Sequence, residues 1–284
     1  MSSLDLFTTR RPALGFSRLR QLDVTLVLSW LVIIVAIAWA VAPGFFTPHS
    51  GTVGIAGNQL RAPDVAHWLG TDEIGRDVLA RIIYGSINSL SGAVVAVVVG
   101  FVGGTALGLV AGSVGGRTDT LIMRIVDVLL SVPGLLLQLS IIIILGFGTV
   151  NVAIAVGVTT VASFARLMRS EVIRVRRADY VEAAFGSGGR FAAVLWRHVL
   201  PNSLGTVIAF AALQFGSAIL AISTLGFLGY GAPPPTPEWG LLISEGRKYL
   251  TAAWWLTAFP GITVIVIVIV LATHRISQSL RRPS

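Results

Sequence analysis

The sequence predicts an all-α membrane protein with six transmembrane helices, and three observations support this fold class. Hydrophobic residues make up 54% of the 284 residues and charged residues only 12%, whereas a water-facing globular domain carries about 25% charge. Long windows without Asp, Glu, Lys or Arg recur along the chain, and a bilayer core takes about 20 apolar residues to cross. The arginines lie between these windows rather than in one basic patch. This distribution argues against nucleic-acid binding in spite of the net charge of +8.

The charge-free windows set the expected boundaries of the helices. We expect transmembrane helices, in chain order, at residues 24–42, 88–112, 121–145, 150–167, 203–227 and 254–273. One window is long enough for two of these helices, and Gly146, Gly148 and Asn151 divide it. The remaining segments are an N-terminal tail at 1–23, an external loop at 43–87, a cytoplasmic loop at 168–202, a second external loop at 228–253 and a C-terminal tail at 274–284.

The distribution of positive charge orients these helices. Of the 21 Lys and Arg residues, 16 fall in the two tails, at Arg117 and Arg124, and in or beside the 168–202 loop. The other side carries only Arg61, Arg76, Arg81, Arg247 and Lys248. The positive-inside rule therefore predicts a multi-pass protein of the cell membrane with both termini in the cytoplasm.

The second predicted helix carries a glycine at every fourth position, namely Gly100, Gly104, Gly108, Gly112 and Gly116. Lipid offers little hydrophobic gain for joining two helices, so close backbone approach along small residues contributes much of the packing energy. The row therefore predicts a helix-packing surface, either against the protein's own bundle or against a partner subunit. A phosphate-binding loop is excluded, because the chain's single lysine does not follow a glycine of such a motif.

The 168–202 loop is the most polar stretch of the chain and is too long for a simple turn. Residues 170–185 contain neither Pro nor Gly and predict one helix, which ends at the glycine-rich run 186–189. A second helix follows, with Pro201 expected to end it. Its apolar face is predicted from the helical spacing of Phe191, Val194, Leu195, His198 and Val199.

The spacing of residues in this loop resembles the EAA loop of ABC importer permeases. The sequence Glu182-Ala183-Ala184 is followed at the family's spacing by a glycine and then by Leu-Pro, and a histidine stands at the apolar position of the pattern. Histidine is usual there in the peptide-permease branch. The resemblance implies that the loop docks on an ATPase through Glu182, Ala183, Ala184, Gly188, His198, Leu200 and Pro201.

Three further segments resemble the C-type subunit of the dipeptide/oligopeptide permease family. They are the external stretch 67–85, the stretch 123–133 and the proline-rich stretch 231–247 that continues to Phe259-Pro260-Gly261. The resemblance implies an ABC permease core over residues 88–273. It also implies a non-catalytic transport subunit, with no catalytic residue and no cofactor in this chain.

The same resemblance implies a set of partners. One copy of the chain would pair with a homologous B-type permease, and two ATPase subunits or domains would bind ATP and Mg²⁺. An external binding protein would deliver the peptide, membrane lipids would surround the helices, and nucleic acid would take no part. Import of nickel or glutathione by the same architecture stays an alternative, because the permease motifs do not decide the substrate.

Polar side chains inside the predicted spans are candidates for the translocation path. They are Gln138, Gln214 and Ser217, whose amide and hydroxyl groups can serve a peptide backbone without charge. Hydrogen bonding between helices is the alternative role for each. Asp127 has Arg124 three residues before it, and this spacing predicts a structural ion pair.

The sequence gives less support for other function classes. A secondary transporter normally carries a titratable group near the bilayer midplane, and the predicted spans carry no Asp, Glu, Lys or Arg at their centres. A membrane enzyme would need a catalytic cluster, whereas the four histidines are scattered. His67 has carboxylates nearby, but a single histidine is a weak indication of a metal site. We therefore expect these carboxylates to cap a helix and to form ion pairs with Arg76 and Arg81, and we expect no metal site.

Overall fold

A computed structural model describes residues 24–279, and within that range every regular element is a helix, apart from one isolated β-bridge between Thr71 and Asp77. The predicted tail 1–23 and the last residues of the other tail, 280–284, lie outside the described residues. The helices are α1 (Val24–Val41), α2 (Val78–Val114), α3 (Gly116–Ser131), α4 (Gly134–Leu145), α5 (Thr149–Arg176), α6 (Asp179–Gly186), α7 (Phe191–Val194), α8 (Leu200–Phe227), α9 (Trp239–Gly246) and α10 (Trp255–Ser279).

Four helical stretches of the described chain are long and apolar enough to cross a membrane: α2, α5, the stretch Phe191–Phe227 and Trp255–Ala272 of α10. The pair α3 and α4 gives a fifth span if the two helices together count as one. Val27–Val41 of α1 forms a shorter apolar helix. The chain is therefore a multi-pass membrane protein, and the full count of six spans stays a prediction.

Helix α2 begins ten residues before the predicted start at residue 88. The Asp77 side chain caps it, because its Oδ1 accepts the backbone N–H of Ala80 at 2.7 Å. Residues 78–87, which the sequence predicts as the end of the external loop, therefore join the span without a break. Helix α5 also differs from its predicted bounds, because it continues nine residues past the predicted end at residue 167.

The predicted straight helix over 121–145 is two helices in the structure. Helices α3 and α4 meet at an angle of 98°. The break lies at Val132, whose φ of −84° and ψ of 132° are those of extended backbone. Pro133 causes this conformation, because a proline ring disfavours the helical region for the residue that precedes it.

Helices α2 and α5 pack along the glycine row. A Cβ added at Gly104 would lie 2.7 Å from the Val161 carbonyl oxygen, so the two backbones are in direct contact there. The other members of the row, Gly100, Gly108 and Gly112, also face α5. Gly116 is different, because it begins α3 with a φ of +56° and has nothing near its Cβ position. The row therefore packs within this chain's own bundle and ends at Gly112.

The predicted helix over 170–185 is divided at Arg177, and the second predicted helix does not end at Pro201. A π turn, Leu195–Val199, joins α7 to α8, so that the helical stretch Phe191–Phe227 is continuous. Proline lacks an N–H group and its ring clashes with the carbonyl four residues earlier. That carbonyl belongs to Arg197 inside the π turn, where the wider helix accommodates the ring.

At the opposite end of the bundle from α6, residues 42–77 and 228–254 fold against each other and are named here the loop cap. The Trp239 indole donates to the Ile82 carbonyl at 3.0 Å, which fixes α9 against the start of α2. The Arg81 guanidinium bridges two parts of the cap, at 2.7 Å from the Asp72 carboxylate and 2.8 Å from the Glu245 carboxylate. These contacts make the loop cap a structured layer.

Candidate functional site

Helix α6 and the turn that ends it form the first part of the candidate site. The Gly189 N–H donates to the Ala184 carbonyl at 3.0 Å, and the Gly188 N–H donates to the Phe185 carbonyl at 3.0 Å. This pair of bonds is the Schellman pattern that closes a helix through a residue in the left-handed conformation. Gly188 is that residue, with a φ of +86°. The glycine at this position therefore sets the direction in which the chain leaves α6.

One buried side chain attaches α6 to the bundle. Val181 has no exposed surface and packs in an apolar cluster with Val175 of α5, Val194 of α7 and Val199 of the π turn. A Cβ at Gly189 would lie 2.8 Å from the Val194 side chain, so the turn also lies against α7. Helix α6 and its glycine turn are therefore packed against α5, α7 and the π turn.

The opposite face of α6 is open. Glu182 and Ala183 are exposed, Ala184 is half-buried, and Glu182 has no ion pair within residues 24–279. The structure brings Glu182, Ala183, Ala184 and Gly188 together on one short helix and its turn. His198, Leu200 and Pro201 lie apart from them, in the π turn and the first turn of α8.

Exposed aromatic residues occur on α6 and on the segment after its glycine turn, and they do not stand out as a group in the sequence. The rings of Phe185 and Phe191 stack at a centroid distance of 6.5 Å across the glycine turn. Tyr180 and Trp196 are also exposed, Trp196 by 65%. The sequence signal that could have identified this group is the presence of large aromatic side chains in the most polar loop of the chain. Aromatic residues are enriched in protein interfaces.

Arginines surround the same end of the bundle, and several hold helices together. Arg166 donates to Asp127 at 2.6 Å, so the predicted pairing of Asp127 with Arg124 is wrong. Arg169 forms an ion pair with Asp119 of α3. The two pairs join α3 to α5.

The three candidates for the translocation path differ in their surroundings. Gln138 is buried and its Nε2 donates to the Thr159 hydroxyl at 3.2 Å, which is a hydrogen bond between α4 and α5. Gln214 and Ser217 instead line a groove between α8 and α10, with Leu213, Leu220 and Val268 among the walls. An amide and a hydroxyl in an apolar groove can offer a ligand donors and acceptors.

In the loop cap, Glu238 caps α9 and holds it to α2 and α8. Its carboxylate accepts the N–H groups of Gly240 and Leu241, both at 2.9 Å, and the Ser89 hydroxyl at 3.2 Å. Burial raises the pKa of Glu238, and these hydrogen bonds oppose that shift. The sequence analysis placed Glu238 only within a family signature, since nothing in the local pattern indicates that the side chain is buried.

The sequence matches a known family over most of the helical bundle. Residues 104–279 match the family described as "Binding-protein-dependent transport system inner membrane component". Among solved structures, the chain is similar to one in the inward-facing MetNI methionine ABC transporter, with a TM-score of 0.54. That alignment covers 71% of this chain and 97% of the other at 17% identity, so it supports the fold alone.

Relatives with higher identity are permease proteins. The chain is 41% identical over 224 residues to the dipeptide transport system permease protein DppC of Alkalihalophilus pseudofirmus, covering 79% of this chain and 73% of the relative. It is 42% identical to the probable D,D-dipeptide transport system permease protein DdpC of Escherichia coli, covering 73% of this chain and 70% of the relative. It is 38% identical to the glutathione transport system permease protein GsiD of Pectobacterium atrosepticum, covering 77% of this chain and 72% of the relative. The chain therefore belongs to the family of binding-protein-dependent transport system inner membrane components.

Proposed function

We propose that this chain is one of two permease subunits of an ATP-driven ABC importer of short peptides, and that α6 docks on its ATPase. The observation that carries the docking proposal is the geometry of α6. It is a short helix with one face buried through Val181, the other face open at Glu182 and Ala183, and its direction fixed by Gly188. A stiff element of this kind can transmit the movement of a partner to the bundle.

The names of the relatives support peptides as the substrate class. Two relatives at 41% and 42% identity carry names for dipeptide and D,D-dipeptide transport. A relative at 38% identity is named for glutathione transport, and this observation keeps glutathione as the second candidate substrate. Nickel, which the sequence resemblance also allows, has no support from these names.

The proposed assembly contains a homologous B-type permease, two ATPase subunits or domains that bind ATP and Mg²⁺, and an external peptide-binding protein. Both termini and α6 face the cytoplasm, where ATP is available. The arginines at the α6 end support this orientation, because cytoplasmic segments carry an excess of Lys and Arg. The loop cap then faces outward, toward the binding protein.

The proposed coupling runs along a continuous helix. Closure of the ATPase moves α6, and α6 is packed on Val194 and Val199 next to α7 and the π turn. The helical stretch Phe191–Phe227 continues to Gln214 and Ser217, which we propose line the peptide path. Movement at the docking surface therefore reaches the groove without crossing a flexible loop. Gln138 is assigned to helix packing instead, because it is buried and its Nε2 donates to Thr159 of α5.

The test is transport by the purified complex reconstituted into vesicles with its ATPase and binding protein. We expect ATP-dependent uptake of a labelled dipeptide, and stimulation of ATPase activity by the loaded binding protein only when this chain is present. Glutathione and Ni²⁺ are measured beside the dipeptide under the same conditions. Uptake driven by a proton gradient without ATPase contradicts the proposal, and ATP-driven uptake of glutathione or Ni²⁺ but not of dipeptides overturns the substrate class alone.

A further inference from the structure

Three side chains of the loop cap with metal-binding atoms lie together, namely His49, His67 and Asp77. One ligand atom from each lies within 4.8 Å of the other two. The His67 Nδ1 is 2.9 Å from the Asp77 Oδ2, and the rings of His49 and His67 are 5.0 Å apart between centroids. The side chains of His67 and Asp77 are only 5% and 3% exposed. The sequence analysis considered His67 alone, because His49 is 18 residues away in the chain.

The His49 ring has no other bonding role in the described structure. Its backbone N–H donates to the Thr47 hydroxyl at 3.1 Å, but its ring nitrogens make no hydrogen bond within residues 24–279. The ring is half-buried beside the His67 and Asp77 pair. A histidine in this position has a nitrogen lone pair directed at no described partner, and neutral imidazole is a good ligand for transition metals.

The groups behind the cluster can orient it as ligands. Asp77 uses its Oδ1 to cap α2, which leaves Oδ2 for another partner. The His67 Nε2 lies 3.3 Å from the Asn58 Nδ2. A half-turn of the Asn58 amide would place its oxygen where it accepts the Nε2–H, which frees Nδ1 for a metal. That rotation gives up one hydrogen bond, from the exposed Arg61 to the Asn58 oxygen. Metal-binding histidines commonly donate their second N–H in this way.

A cavity of about 270 Å³ lies against the cluster and offers room for an ion to enter. His49 and Asp77 line it together with Phe46 and Trp68. A tetrahedral ion with bonds of roughly 2.0 to 2.1 Å needs ligand atoms roughly 3.3 Å apart. The distance between His67 and Asp77 is close to that value, so His49 is the ligand that moves inward.

From these contacts we propose that His49, His67 and Asp77 bind one divalent transition metal ion of the Zn²⁺ type, with water as the fourth ligand. Two imidazoles and one carboxylate suit Zn²⁺, whereas Ca²⁺ and Mg²⁺ require about six oxygen ligands. The ion ties the segment around His49 to the start of α2 and so stabilises the loop cap. This site is separate from the proposed peptide import and does not depend on it.

The experiment is a calorimetric titration of ZnCl₂ into the full-length chain, purified in detergent through a tag without histidines. We expect one ion per chain and a rise in Tm on Zn²⁺ addition. The variant His49→Ala should bind Zn²⁺ about 100-fold more weakly and should lose the rise in Tm on Zn²⁺ addition. The control His198→Ala removes a histidine at the other end of the bundle and should bind Zn²⁺ like the parent.

A second variant tests the supporting group. Asn58→Asp places a carboxylate beside the His67 Nε2, and we expect it to tighten Zn²⁺ binding because it accepts the Nε2–H more strongly. Three results would overturn the proposal: no saturable binding of one Zn²⁺ per chain, binding by His49→Ala as tight as that of the parent, or equal affinity for Ca²⁺. None of these measurements uses transport, so the metal site and the proposed function are tested separately.

Discussion

At the scale of single residues, Gly188 shows that a glycine can be required by backbone conformation alone. Its φ is +86°, and a Cβ added there would meet nothing within 4 Å. Side chains of L-residues cost roughly 1–2 kcal/mol in this conformation, and more when they are β-branched. The neighbouring Gly186 also has open space around its Cβ position but lies in the helix with no positive φ. Substitutions at the two glycines therefore distinguish a requirement for backbone conformation from a requirement for space around the Cβ atom.

We expect Gly188→Val to lower peptide transport and the stimulation of the ATPase by up to about tenfold, because a penalty of about 1.4 kcal/mol shifts the equilibrium tenfold away from the native turn. Gly186→Val is the matched control and should retain most of the activity. The measurement is uptake and ATPase rate in reconstituted vesicles, with co-purification of the ATPase as a second readout. Equal losses in the two variants would show that the turn conformation is not what the partner requires.

At the scale of elements, two prolines have opposite outcomes that the sequence pattern could not separate. Pro133 breaks the predicted helix over 121–145, because Val132 before it adopts extended backbone. Pro201 was expected to end a helix, yet the π turn before it lets the helix continue. Local sequence predicts that a proline disturbs a helix. Whether the helix bends or forms a wider π turn depends on packing against other helices, such as the contact of Val199 with the apolar cluster that contains Val181.

The apolar character of α2, α5, the stretch Phe191–Phe227 and α10 was predictable from hydropathy, but their bounds were not, since α2 begins ten residues earlier than expected. The docking role of the 168–202 loop, which rests on short-range spacing, stays a proposal. The partners of individual side chains were not, because they come from distant parts of the chain. Asp127 pairs with Arg166 rather than Arg124, and Gln138 with Thr159. The contact between the Phe185 and Phe191 rings was not predictable either, because it depends on the path of the backbone through the glycine turn.

The glycine contact between α2 and α5 gives a prediction for packing. Gly104→Ala should lower the Tm of the purified protein, because its Cβ would lie 2.7 Å from the Val161 carbonyl oxygen and force the helices apart. We expect the free energy of unfolding to fall by about 1–3 kcal/mol, which is typical of overpacking. Gly205→Ala is the control within α8, where nothing lies within 4 Å of the added Cβ. A Tm for Gly104→Ala at or above that of Gly205→Ala would contradict the close contact.

At the scale of the whole molecule, the two ends of the bundle differ in character. One end carries α6 and the arginines, and the other carries the loop cap with its buried ion pairs. The proposed function requires these ends to lie on opposite sides of the membrane, with α6 in the cytoplasm. Because the chain contains no cysteine, this orientation can be tested with single introduced thiols.

We expect Ala56→Cys, in the exposed part of the loop cap, to react with a membrane-impermeant maleimide on intact cells. Thr120→Cys, exposed at the α6 end, should react only after the cells are permeabilised. Gel-shift labelling with a bulky maleimide measures both variants in parallel, and labelling after denaturation controls for expression. Labelling of Thr120→Cys on intact cells would place the docking helix outside and exclude contact with a cytoplasmic ATPase.

In the proposed coupling, the continuous helical stretch Phe191–Phe227 acts as a lever with its fulcrum at the loop cap. Near its far end a Cβ at Gly240 of α9 would overlap the Ser223 carbonyl oxygen, and Glu238 packs against Gly226, so this end is held in place. At 1.5 Å per residue, Val194 lies about 44 Å from that fulcrum and Gln214 about 14 Å from it. A swing of about 3 Å at the docking end becomes about 1 Å at the groove. In the proposed coupling, this arm ratio converts a coarse movement of the ATPase into a finer movement of the groove at Gln214 and Ser217.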